Sequence, residues 1–129
     1  MIRAAAILAL VSAAAPAAAD PVLRLAVDGQ GFNVSPDQIL QVEAEEVFPG
    51  AVVFFRFAEA PSYSLEQLTA ASIGLKLDMI VCGHVLMSPV VMEVIKGGVG
   101  QINMGDITAA RELAATLHGD RACADYRGS

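Results

Sequence analysis

From Leu68 to Ile102 the chain reads LTAASIGLKLDMIVCGHVLMSPVVMEVIKGGVGQI, and no other stretch restricts the fold as much. Met79-Ile80-Val81 is an apolar run bounded by Asp78 and by Cys82-Gly83, after which Val85-Leu86-Met87 resumes and stops at Ser88-Pro89. Two short buried strands joined by a tight turn satisfy that pattern. Gly83 supplies the positive φ such a turn demands, and Pro89 cannot donate to a central ladder, so it marks a strand end, an edge or a bulge. Val90 to Ile95 then leads into Gly97-Gly98-Val99-Gly100, where three glycines in four residues predict a backbone that turns sharply or packs close.

Elsewhere the pattern is of alternating strands and two amphipathic helices. Val22 to Val27 places Leu23, Leu25 and Val27 on one face and ends at Asp28-Gly29, a first strand. Ser35-Pro36-Asp37 reads as a turn, and Ile39 to Val47 as a strand with Glu43 and Glu45 on one face. Pro49-Gly50 reads as a second turn into Val52-Val53-Phe54-Phe55, giving a hairpin. Ser64 with Gln67 has capping-box spacing, so a helix is expected from about Leu65 to Ile73 or Leu75, with Gly74 near its end. A second helix is expected after Asp106, turning Ile107, Ala110, Leu113, Ala114 and Leu117 toward a sheet and closing at Gly119. Hairpin-paired strands with two helices make an α+β two-layer domain.

The ordered series resembles the head of the first periplasmic domain of SecD, the membrane subunit of the SecDF protein-export component. Leu68-Thr69, Gly74, Leu77, Ile80, Gly83, Val85, Pro89, Val90, Ile95, Gly97, Gly98, Gly100 and Ile102 stand at the positions of that family's pattern, and Leu113-Ala114 with Leu117 match its last helix. The likeness runs from Val52 to Gly119. Cys82 departs from it by replacing the turn aspartate, and Met87-Ser88-Pro89 replaces the usual Ser-Ala-Pro. The stretch between Ile102 and Leu113 is one residue shorter, and Asn103-Met104-Gly105-Asp106 is a degenerate form of the segment leading to the last helix. The resemblance implies an antiparallel or mixed sheet with two helices packed on one face.

The N-terminus has the layout of a secretory signal. Met1-Ile2-Arg3 is a positive n-region, Ala4 to Ala14 an apolar h-region, and Pro16-Ala17-Ala18-Ala19 a small-residue cleavage site. Cleavage is expected after Ala19, giving a signal peptide at 1–19 and a single domain at 20–129 in the periplasm or otherwise secreted. The h-region is shorter than the roughly 18 apolar residues of a spanning helix, so no membrane span is expected after cleavage. A net charge of -6 with scattered Lys and Arg argues against nucleic acid, which requires a clustered basic face.

Cys82 and Cys123 would both meet an oxidising compartment, and a disulfide between them is expected. It would close a loop of about 40 residues, worth about 4 kcal/mol in chain entropy. The alternative is a soft metal site in which Cys82, His84, His118 and Cys123 join Met79 or Met87, making the protein a small periplasmic metal or ligand carrier. His118 also fits as a helix-dipole partner in a last turn. Catalysis lacks a nucleophile, base and orienting acid in any readable arrangement, and the glycine loop lacks the lysine and hydroxyl residue of a phosphate loop. No enzyme activity and no cofactor are expected.

What the resemblance implies is contact. SecD's head touches emerging preprotein while its membrane part conducts protons, whereas here a head of the same kind is expected as a free binder or an accessory to protein export. Exposed edges and apolar surface would suit an extended, unfolded polypeptide by strand addition. The candidate contact residues are Val85, Met87, Pro89 and Val91 with the glycine loop Gly97, Gly98 and Gly100.

Overall fold

The computed structural model describes residues 21–127, and the expected signal peptide at 1–19 lies outside the described residues. The chain runs β1 (Leu23–Val27), β2 (Gln30–Val34), β3 (Ile39–Val47), β4 (Gly50–Phe57), α1 (Glu59–Ala70), β5 (Asp78–Val81), β6 (His84–Met87), β7 (Val99–Met104) and α2 (Ile107–His118). This is the expected α+β class, with every strand pairing antiparallel. Among the described residues the strands divide between two sheets, ordered β2-β1-β5-β6 and β3-β4-β7.

Turn chemistry sets the local register. Asp28-Gly29 takes φ of 51° and 80°, so β1 and β2 form a two-residue hairpin in which Val27 faces Gln30. Pro36 then removes a backbone donor, and the chain leaves the first sheet through a 3-10 turn at Pro36–Gln38. β3 and β4 form the long hairpin of the second sheet, and β7 returns to pair with β4. β2 and β7 give weak strand signals: each is short with glycine as its second residue, although Phe32 and Val34, and Ile102 and Met104, do alternate with polar neighbours.

α1 begins six residues earlier than Ser64-Gln67 suggested. Ala58 is its N-cap and makes no side-chain bond, while Pro61 occupies the first turn, where its missing N–H costs nothing. Ser62 donates instead to the Ala58 carbonyl at 2.7 Å. α2 matches expectation at both ends: the Asp106 side chain accepts from the Ala109 N–H at 2.8 Å, and Gly119 closes the helix at φ 92°.

α2 lies on β3 and β4 and buries Ala110, Leu113, Thr116 and Leu117, each leucine worth about 2 kcal/mol of apolar burial. α1 packs chiefly on β2, and also touches β1 and β4, through Pro61, Leu65 and Thr69. One continuous core draws on both sheets and both helices and includes Leu23, Leu25, Val34, Val53, Val81 and Ile102.

Candidate functional site

The β5–β6 hairpin carries the residues singled out by sequence. Its turn is Cys82-Gly83, both at positive φ (51° and 83°), and Val81 faces His84 across it. A cysteine in the left-handed region costs roughly 1–2 kcal/mol. Cys82 is held there by the Val22 carbonyl, which accepts its N–H at 3.1 Å, and by a disulfide to Cys123, 41 residues on, with Cα atoms 5.3 Å apart. The bond fastens the tail after α2 to this turn. It also removes both thiolates from the metal set that the alternative reading required. Among the described residues no group of three or more His, Cys, Asp or Glu side chains is arranged to hold a metal ion.

The tail beyond the disulfide is anchored a second time. Tyr126 is buried, and burial first, then the Glu112 carboxylate, raises its phenol above the ordinary value of 10.0. The same Glu112 accepts from the Arg127 N–H at 3.0 Å and lies 3.5 Å from the Arg121 guanidinium.

Among the described residues β6 pairs with β5 alone, so its other side is a sheet edge. Val85 is 60% exposed on it, Met87 is half-buried, and Ser88 closes the strand by donating to the Asp78 carboxylate at 2.6 Å. That bond gives Ser88 a structural task. Past Pro89 the chain lies antiparallel to residues 74–77: the Leu77 N–H donates to the Pro89 carbonyl, the Val91 N–H to the Leu75 carbonyl and the Gly74 N–H to the Val91 carbonyl, each at 2.8 Å. These two segments carry exposed Leu75, Val90 and Met92, with exposed Ile73 just before them. Lys76 pairs with Val90, so Leu75 shares the face of buried Val91 while Val90 and Met92 take the other, and the exposed apolar side chains are divided between the two faces.

Val91 and the glycine loop take other parts. Val91 is buried among core residues and cannot meet a ligand as the structure stands. Gly97 and Gly98 have φ of 78° and 63°, and a Cβ on Gly98 would lie 1.9 Å from the Ser62 hydroxyl oxygen. Gly100 lies under the Phe55 ring, where a Cβ would come within 2.1 Å of Cζ. The loop is thus a packing device that lets β7 approach α1 and β4. Thr69, fully buried, completes it by accepting the Ile95 N–H at 3.0 Å while donating to the Leu65 carbonyl at 2.7 Å.

Two further hollows bear on the site. One, about 630 Å³, lies at the start of α1 between Glu59, Ser62, Tyr63, Glu66 and Gly97, and its Ser62 hydroxyl is held by the Phe57 and Ala58 carbonyls. A smaller cleft of about 180 Å³ separates Leu86 and Met87 of β6 from Ile102, Asn103 and Met104 of β7 and the adjoining Gly105. Sequence reasoning missed the β7 side, because only the three-dimensional pairing brings it opposite β6.

Comparison with known proteins follows the same lines. One solved structure, of a membrane component SecDF that enhances protein export, superposes with a TM-score of 0.58 at 24% identity, over 66% of this chain and 40% of that one. The fold is SecD head-like. A second, a crystal structure of SecDF in a super-membrane-facing form, gives the same score and identity over 66% of this chain and 12% of its own. The chain thus spans well under two thirds of either SecDF chain. No protein-family model and no curated protein matches it. Among the described residues no helix is long and apolar enough to cross a membrane. The disulfide fits an oxidising, extracytoplasmic compartment.

Proposed function

We propose that this chain is a non-catalytic, periplasmic interaction domain that contacts extended polypeptide beside the protein-export machinery. The observation that carries the reading is the β6 edge: a strand paired on one side, with exposed Val85, continuing into segments that carry exposed Leu75, Val90 and Met92, in a SecD head-like fold. An unpaired edge offers backbone N–H and C=O groups to any extended chain, and the neighbouring apolar side chains favour a segment not yet folded. The domain would act by binding alone, with the disulfide keeping the hairpin in place.

Fluorescence anisotropy of the purified, disulfide-bonded protein tests this against one labelled polypeptide in its unfolded and its folded form. Binding of the unfolded form only, weakened by Val85→Lys, is the expected result. Equal binding of both forms, or of neither, would end the proposal.

A further inference from the structure

Hydrogen-bond parity fixes which way each edge strand directs its amides. The Cys82-Gly83 turn has two residues, so Val81 and His84 exchange ladder bonds and the next pair, Ile80 and Val85, does not. The N–H and C=O of Val85 therefore face away from β5. In the second sheet the two-residue connection Phe48-Pro49 makes Val47 and Gly50 a bonded pair, so Ala51, Val53 and Phe55 bond across to Met104, Ile102 and Gly100. The Phe57 N–H donating to the Gly98 carbonyl at 2.9 Å independently shows the same parity. Val99, Gln101 and Asn103 consequently direct their N–H and C=O groups away from β4. Among the described residues, none of these four joins another backbone group outside its own ladder.

Both edges border the cleft of about 180 Å³. β7 pairs without a register shift, and successive residues of a regular strand point to opposite faces, so a cleft lined by both Ile102 and Asn103 lies along that strand's edge; across it, Leu86 and Met87 sit at a bulge where Met87, and not Leu86, pairs with Met79. We propose that an extended segment of another polypeptide enters between β6 and β7 and pairs with both, so that the order β2-β1-β5-β6 continues through the guest strand into β7-β4-β3. This rests on the reading of the chain as a polypeptide-contact domain and specifies where the contact is made and with what. With the guest in place the flanking strands stand about 9.5 Å apart, twice the ladder spacing, so the cleft widens on binding.

The chemistry selects an uncharged guest. β7 has no titratable side chain, and β6 has only His84 at its start, in a chain of net charge -6. Neither strand has the lysine or internal proline that often guards an edge, and the bulge in β6 lies beyond Val85, between it and Met87. Met87 and Met104 stand on the two sides of the cleft, and flexible thioether side chains accommodate differing guest residues. Backbone pairing supplies affinity without fixing sequence.

Amide exchange followed by NMR on the intact, disulfide-bonded protein tests the arrangement, using a ten-residue peptide of alternating Thr and Val and a control with Lys in place of Thr. The Thr-Val peptide should slow exchange at Val85, Gln101 and Asn103 together by at least about tenfold, and the lysine control should not. Val85→Pro and Gln101→Pro each remove one outward N–H without removing a ladder donor, and each should weaken binding several-fold. Val85→Lys and Gln101→Lys serve where thermal unfolding shows the proline variant to be misfolded. Slowing at Val85 alone overturns the bridging arrangement but leaves polypeptide contact standing, whereas slowing at no residue overturns both. Slowing without peptide that grows with protein concentration makes the guest a second copy of this chain and also overturns the proposal.

Discussion

β2 and β6 are the two outer strands of one sheet, and each is reached through a two-residue turn with nearly the same backbone: φ of 51° and 80° at Asp28-Gly29, and of 51° and 83° at Cys82-Gly83. Asp-Gly suits that conformation unaided, because a short acceptor side chain tolerates the left-handed region. Cys-Gly gives up this advantage for a covalent tie to the tail. Past the turns the two edges diverge. α1 packs along β2, and a side-chain bond from Arg24 to Asn33 at 3.0 Å joins it to β1. β6 makes its main contacts with β5 and presents Val85. Turn geometry thus makes both hairpins, and the packing of α1 on β2 distinguishes the two edges.

The most severe way to break the contrast is to give the second turn the chemistry of the first. Cys82→Asp combined with Cys123→Ala keeps a compatible turn residue but removes the cross-link, and urea unfolding should show a loss of about 4 kcal/mol, partly returned by the aspartate. An unchanged midpoint would mean that the bond adds no stability. Next comes the covered edge. A Cβ on Gly31 would lie 1.9 Å from the Leu25 carbonyl oxygen, a backbone atom that cannot yield cheaply, so Gly31→Val should cost about 3 kcal/mol and lower Tm by more than about 10 °C.

Thr69→Val probes how the open side is held, since it leaves the Ile95 N–H without its acceptor. About 2 kcal/mol should be lost, with faster amide exchange at Ile95. The tail can be tested by pH. The folded Tyr126 phenol has a raised pKa, so its contribution is complete below the unfolded value near 10 and declines as pH climbs through the folded value. Tm measured from pH 8 to 11 should fall at the alkaline end, and Tyr126→Phe should remove that part of the fall. The smallest effect belongs to Val85→Lys, expected within about 0.5 kcal/mol of the parent because the side chain is mostly in solvent.

Where local chemistry decides structure, the sequence was legible. Ile39–Val47 has the bounds its alternation suggests, and Asp106 and Gly119 cap α2 as their residue types require. α1 was misplaced because Ser64 and Gln67 mimic a capping box, while the better signal was Pro61, a residue suited to a first helical turn. The division into two sheets was hidden, since β1 with β5 and β4 with β7 are pairings between distant segments. At the candidate surface, sequence located the β5–β6 hairpin and its edge. It could not tell that Val91 is core or that Gly98 and Gly100 exist to admit Ser62 and Phe55, because burial depends on what lies opposite.

The span of the cross-link has a consequence for biogenesis. In a chain that emerges from its N-terminal side, Cys82 meets oxidants 41 residues before its proper mate does, and throughout that interval it is a lone thiol open to capture by any other. Correct maturation therefore depends on oxidation being slower than emergence, or on an isomerase that undoes early mistakes.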